Sequence, residues 1–364
     1  MFRSLSIAHL SKDSKCIYTI PILLRSLASR APGLKTTIPT LYFADNLDID
    51  LKLHEIPVRD DAKSLLGLMQ MKKRGLDCSK APVVYLHHGA MSNGLIFWSL
   101  NGKGLGPYLA GRGVNVFIGD LRGRGFSVPT IQELVENKCK VAHGQLESIR
   151  DDLPTLSEAV SQLSGRLDGK QTWIAHSWGG VLLTAAMARS GPNGLAERVD
   201  SFICLGTKKF IGEKRSWAYF KNITFGWNIL SPLLAKYHGY LPSKVLKFGM
   251  DDETESSLAD CTQWIQTKDT MIDPTDGFDY LRAWKALPRK PPTWHISAVL
   301  DPYLGNPKDV KRWADLTSQT QRFTILSKKN GNMEDYNHNS MLTSRMAVQD
   351  HFPQIFDWIK QHER

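Results

Sequence analysis

The chain has 364 residues, 42% of them hydrophobic, which is ample for a buried core and corresponds to about two domain lengths. Charged residues make up 23%, with 28 Gly and 18 Pro, so a collagen-like or wholly disordered chain is excluded. The formal charge of +10 is unevenly placed: residues 1–35 carry +5 and residues 208–249 carry +7, leaving −2 for the remainder. Basic patches of this kind suit anionic lipid surfaces, acidic substrates or nucleic acid.

No apolar run reaches the ~18 residues of a membrane-spanning helix. Residues 16–24 (CIYTIPILL), preceded by Arg3, Lys12 and Lys15, have the outline of a short signal-peptide core. Asp13 in the basic segment, and Arg25 and Arg30 soon after it, speak against that form, and an N-terminal segment packed on the body is expected instead. The five cysteines (Cys16, Cys78, Cys139, Cys204 and Cys261) are odd in number, far apart and form no CxxC. That argues against a disulfide framework and a zinc site, and for a reducing compartment. A cytoplasmic location, with association at a membrane surface left open, is the expectation.

After residue 45 two strands come first, followed by strands alternating with helices. Residues 48–56 (DIDLKLHEI) and 64–71 (SLLGLMQM) read as strands joined by a turn at 59–63, so they must pair antiparallel. Residues 83–87 (VVYLH) read as a buried strand, and similar short β-rich runs occupy 114–118, 172–175, 201–205, 294–299 and 322–326. Helical patterns fill 104–111, 146–163, 179–189 and 310–317, with Pro154 expected to split or kink the second. This alternation predicts an α/β protein with a mostly parallel sheet covered by helices on both faces.

Residues 208–290 interrupt the alternation. Their first half holds nine aromatic residues between Phe210 and Phe248, interleaved with lysines. The segment is expected to form a helical cap over the carboxyl edge of the sheet, where open α/β sheets bind ligands. The expected organisation is a basic N-terminal segment (1–44), a first core part (45–207), the cap insertion (208–290) and a second core part (291–364).

Residues 175–180 (AHSWGG) follow one expected strand and open one expected helix. Small residues at Ala175 and Gly179 permit a sharp strand-to-helix turn, the setting of a nucleophile elbow, with Ser177 facing the cleft. A serine hydroxyl needs a base, and His338 lies in a loop beyond the last strand run. His351 and His362 lie farther on, in an expected C-terminal helix. Asp301, just past the 294–299 strand, is favoured as the group that orients the imidazole, over Asp335, Asp273, Asp276 and Asp279. Ser177, Asp301 and His338 then follow the chain order Ser…Asp…His. The oxyanion of such a reaction needs preorganised N–H donors. Trp178 is expected to give one, and the loop 88–91 (HGAM) the other, from Ala90 or Met91, with Ala90 preferred.

His87 and His88 are adjacent and cannot share a face as metal ligands would, so a packing role is expected. The turn 119–127 (GDLRGRGFS) lacks the Lys-Ser/Thr of a phosphate loop and reads as a structural loop in which Asp120 and Arg122 bond its backbone.

Together these residues resemble the α/β-hydrolase superfamily across about residues 45–360. His88-Gly89, the stretch 97–104 (FWSLNGKG), the pattern Gly119-Asp120-x-Arg122-Gly123-x-x-x-Ser127 and Tyr336-Asn337-His338 resemble its acid-lipase branch. The elbow departs from that branch in reading Ala-His-Ser-Trp-Gly in place of Gly-His-Ser-Gln-Gly, and Asn-Ser-Met follows His338 in place of Leu-Asp-Phe. The resemblance implies a serine ester hydrolase with a cap that shapes an acyl pocket. Dehalogenases and epoxide hydrolases of the same fold carry Asp at the elbow, so Ser177 argues against both.

The expected activity is hydrolysis of a small-molecule acyl ester or lipid, with no cofactor, no metal and no nucleic-acid partner. Peripheral membrane contact is expected through the basic N-terminal segment or the cap. Acyl transfer on the same triad and a non-catalytic binding protein are the competing readings. Activity should fall as the base protonates, at roughly pH 6–7 for an ordinary histidine.

Overall fold

Eight of the ten strands among the described residues form one sheet. They are β1 (Ile49–Pro57), β2 (Leu65–Lys73), β3 (Val83–His87), β4 (Asn115–Gly119), β5 (Gln171–His176), β6 (Val199–Leu205), β9 (Thr293–Ala298) and β10 (Thr320–Leu326). Their spatial order is β1-β2-β4-β3-β5-β6-β9-β10. β1 pairs antiparallel with β2, and β2 antiparallel with β4, while the remaining pairs are parallel. The other two strands, β7 (Tyr240–Leu241) and β8 (Glu253–Thr254), form a small antiparallel pair within the insertion. The computed structural model describes residues 48–363 apart from 62, 140, 142, 213–216, 268, 318 and 319. The expected basic segment 1–44, with its apolar stretch 16–24 and Cys16, lies outside the described residues.

The parallel strands are apolar on both faces because both faces are covered. Alternation along β5 shows the division: Ile174 enters one core cluster, Trp173 and Ala175 the other. The first cluster packs the helices Leu105–Ala110 and Phe352–His362 against the sheet. The second packs Leu153–Leu163, the elbow helix Trp178–Ser190 and Tyr280–Ala286 against the opposite face. Pro154 does not split the expected helix: the chain stays helical from Gln145 through Leu163, and a π-helical stretch at Ser148–Asp152 directly before the proline accommodates its missing N–H.

The sheet order reverses at β3: the chain moves from β3 to β4 on one side and to β5 on the other. The loops leaving β3 and β5 therefore diverge and open a crevice at their carboxyl ends. Above it lies the insertion between β6 and β9. It contains an outer cap helix at 217–238, π-helical over Phe220–Leu230 and α-helical over Ser231–His238, and an inner cap helix, Glu255–Gln266. The last helix of the segment 208–290, Tyr280–Ala286, packs on the flank against the elbow helix. No helix among the described residues is long and apolar enough to cross a membrane. Cys78, Cys139, Cys204 and Cys261 are free thiols.

Candidate active site

Ser177 sits between β5 and the elbow helix with φ 55° and ψ −129°. A positive φ is unfavourable for any residue with a Cβ. The turn holds because its neighbours fix it: Ser177 N–H donates to Leu205 O at 2.7 Å, and Gly180 N–H donates to Ser177 O at 3.2 Å. A Cβ on Gly179 would run into the His88 carbonyl, so a larger residue there would push the β3 loop away. A Cβ on Gly89 would lie 2.9 Å from Ser177 Cβ and 3.4 Å from its Oγ. The serine side chain thus faces the loop that leaves β3.

Asp301 and His338 come from the loops after β9 and β10. His338 Nδ1–H donates to Asp301 Oδ2 at 2.6 Å, and both residues are buried. The other carboxylate oxygen, Oδ1, accepts the Leu304 N–H at 2.9 Å. Burial alone would raise the Asp301 pKa, but the bond and charge of His338 and the N–H groups of Gly305 and Leu304 outweigh it and hold the carboxyl below its ordinary value. The imidazole is seated against the serine turn. A Cβ on Gly206, next to the Leu205 carbonyl that Ser177 bonds, would lie 3.0 Å from His338 Cε1 and Nδ1. His176 Nε2–H donates to the His338 carbonyl at 2.9 Å, with the two rings 4.6 Å apart. Burial keeps His176 neutral, with its pKa lowered to about 3. The Ser177 hydroxyl makes no hydrogen bond among the described residues. Serine–histidine bonds are commonly long in an unliganded site and tighten around substrate.

Two backbone donors flank this serine. Trp178 is the first residue of its helix, where an N–H has no partner within the helix. Ala90 N–H likewise has no acceptor among the described residues, whereas Met91 N–H donates to Glu253 Oε2 at 3.3 Å. That difference separates the two expected loop donors. The Trp178 ring is held by its own bond to Gln145 Oε1 at 3.1 Å and by stacking on Trp264 of the inner cap helix.

A family profile described as the α/β hydrolase fold matches residues 82–227. This chain is an α/β-hydrolase-fold protein. A soluble variant of monoglyceride lipase from Saccharomyces cerevisiae is similar over 90% of this chain and 99% of its own, at 14% identity and a TM-score of 0.58. An esterase from Pyrococcus furiosus aligns over 90% of this chain and 96% of its own, at 13% identity and a TM-score of 0.52. A meta-cleavage product hydrolase from Pseudomonas fluorescens aligns over 87% and 100%, at 15% identity and a TM-score of 0.51. At these identities the likeness establishes the fold. No curated protein matches the sequence.

In this hydrolase-fold protein the turn 119–127 behaves partly as expected. Asp120 accepts Gly94 N–H at 2.7 Å and Phe126 N–H at 2.8 Å, bracing two loops. Arg122 does not bond the turn's backbone through its side chain. Its guanidinium pairs with Asp152 at 2.7 Å and Asp60 at 3.0 Å, because a buried cation needs carboxylates to offset lost hydration. His87 and His88 are fully buried beside this turn. His88 donates from Nδ1 to Gly89 O at 2.9 Å and receives Leu121 N–H on Nε2 at 3.4 Å, with burial lowering its pKa to about 3. It braces the loop as a neutral ring.

Sequence reasoning missed the root of the cap. Met250 and Asp251 donate their N–H groups to Met91 O at 2.8 and 3.2 Å. Asp251 Oδ2 accepts Gly125 N–H at 2.6 Å and Asn93 Nδ2–H at 2.9 Å, and Glu253 pairs with the buried Arg124. The cap is thereby fastened to the loops after β3 and β4 through residues up to 162 positions apart. No local pattern announces such pairings. The available signal was the acidic run Asp251-Asp252-Glu253, which follows the basic stretch 208–249.

Proposed function

We propose that this protein is a serine carboxylic-ester hydrolase acting through an acyl-enzyme on Ser177. The observation that carries the reading is the strained Ser177 turn, wedged between the His338–Asp301 pair and the two unengaged donors of Ala90 and Trp178. With Nδ1–H committed to Asp301, the Nε2 lone pair of His338 is the base. It takes the Ser177 proton as Oγ attacks the ester carbonyl. The new oxyanion is held by Ala90 and Trp178 N–H. His338 then protonates the departing alcohol, and a water molecule, deprotonated by the same nitrogen, releases the acid. Asp301 stays ionised and stabilises the imidazolium formed in each step. The esterase and monoglyceride lipase among the similar structures support an acyl ester as substrate.

The test is hydrolysis of p-nitrophenyl esters from acetate to palmitate by wild type and Ser177→Ala. Wild type should turn over and the variant should lose about 10³-fold or more in kcat, with its circular dichroism unchanged. Equal turnover by both would reject Ser177 chemistry. A folded wild type that hydrolyses none of the esters and takes no label from a fluorophosphonate probe would reject the hydrolase reading.

A further inference from the structure

Eleven of the nineteen exposed large hydrophobic side chains among the described residues fall within 217–250. They are not scattered. Along the outer cap helix the outward positions Phe225, Ile229, Leu233 and Tyr237 recur every fourth residue, with Phe220 five positions before the first. A π-turn brings residues five apart into register, so the row continues through the change of helix type at Ser231. Leu233 is 61% exposed and Tyr237 83%. The opposite side of the helix is already engaged: Ile223 and Ala235 are buried, and Trp227 donates from Nε1 to Thr262 Oγ1 of the inner cap helix at 2.9 Å. The helix is thus apolar on both sides. One side is covered by protein and the other by nothing described, which in a surface helix marks an interaction face.

Charge selects the partner. Residues 208–249 carry eight Lys or Arg against one Glu, and Lys221 and Lys236 of the outer cap helix are exposed. Aromatic and aliphatic side chains on one face, rimmed by lysines, form the pattern of a helix lying in the headgroup region of an anionic bilayer. The face also borders the site. Asn222 Nδ2–H donates to Tyr303 Oη at 3.0 Å, in the loop that carries Asp301, and Leu300 and Leu304 of that loop are exposed. The inner side of the same helix shares a small apolar cluster with Met91, next to Ala90.

We infer that the outward face of the outer cap helix docks flat on an anionic lipid surface. Docking does not depend on the hydrolytic reading. The corollary that the substrate is an acyl ester taken from that bilayer does rest on it.

The test is flotation of the full chain with phosphatidylcholine vesicles and with vesicles containing added phosphatidylglycerol. Wild type should float with the anionic vesicles, and less so as salt is raised. Ile229→Asp with Leu233→Asp should lower the bound fraction about tenfold or more, since two apolar contacts become charges. Lys221→Glu with Lys236→Glu should lower it about tenfold as well, at roughly fivefold or less per lysine removed. Melting temperature and p-nitrophenyl acetate turnover should be unchanged in both variants, which separates loss of docking from loss of fold or of chemistry. Failure of the wild type to float, equal flotation with neutral vesicles, or unaltered flotation of the apolar double variant would overturn the inference. So would a wild-type dimer that the apolar double variant dissociates, which would assign the face to a second copy of the chain.

Discussion

Ser177 occupies a conformation that costs an L-residue about 1–3 kcal/mol, and the bonds through Leu205 and Gly180 hold it there. Glycine reaches the same φ without a Cβ clash. Ser177→Gly and Ser177→Ala should both be inactive, but the glycine variant should be the more stable by about 1 kcal/mol in urea unfolding. Equal stabilities would mean that the turn is unstrained. In the proposed mechanism Asp301 acts at one remove, through His338. Asp301→Asn should lower kcat by about 10³–10⁴-fold with little change in KM. It also has a stability signature. Because the folded pKa of Asp301 is depressed, its contribution is present above about pH 4 and is lost as pH falls through the folded value. The stability gap between wild type and Asp301→Asn should therefore narrow below about pH 4 in acid titrations followed by circular dichroism.

Elements differ in how far their neighbours in sequence determine them. β3 is read to the residue, since VVYLH is bounded by Pro82 and by the loop that begins at His88. The other strands shift by a residue or two at their ends, where pairing with neighbours decides the limit. The Asp301–His338 contact, 37 residues apart, was also readable, because strand-end loops in a parallel sheet gather at one edge. The inner cap helix was not readable in this way. Its C-terminal end is closed by Lys209, buried 55 residues upstream, whose Nζ donates to Trp264 O at 2.6 Å, Thr267 O at 2.7 Å and Thr267 Oγ1 at 2.9 Å. A lysine in a basic stretch looks like solvated surface; only the folded chain brings three oxygens to it. Lys209→Met should cost about 1–3 kcal/mol, because those oxygens lose their donor, and should leave ester turnover at low temperature unchanged. A variant as stable as wild type in thermal melts would show that water caps the helix equally well.

For the whole molecule, the buried titratable groups give a stability profile that the net charge does not convey. Burial lowers Lys208 and Lys209 to about 8, so between that value and the unfolded ~10.4 the unfolded chain binds more protons and stability rises with pH. Burial raises the thiols of Cys204 and Cys261, so from about pH 8.5 upward the folded state holds more protons and stability falls. The two pairs oppose each other, so the wild-type curve alone is uninformative and a difference is needed. Wild type should gain on Lys208→Met from pH 8 to 10, by at most about 1.4 kcal/mol per pH unit, in denaturant titrations at successive pH values. A constant difference would mean that the lysine is solvated. The cap root has a separate consequence. Met91 gives its carbonyl to the N–H groups of Met250 and Asp251 and its N–H to Glu253, and its neighbour is Ala90. The insertion is therefore not a detachable module. Grafting the cap of another hydrolase-fold protein in its place would remove the brace of the loop beside Ser177, so a specificity swap would arrive already coupled to a change in rate.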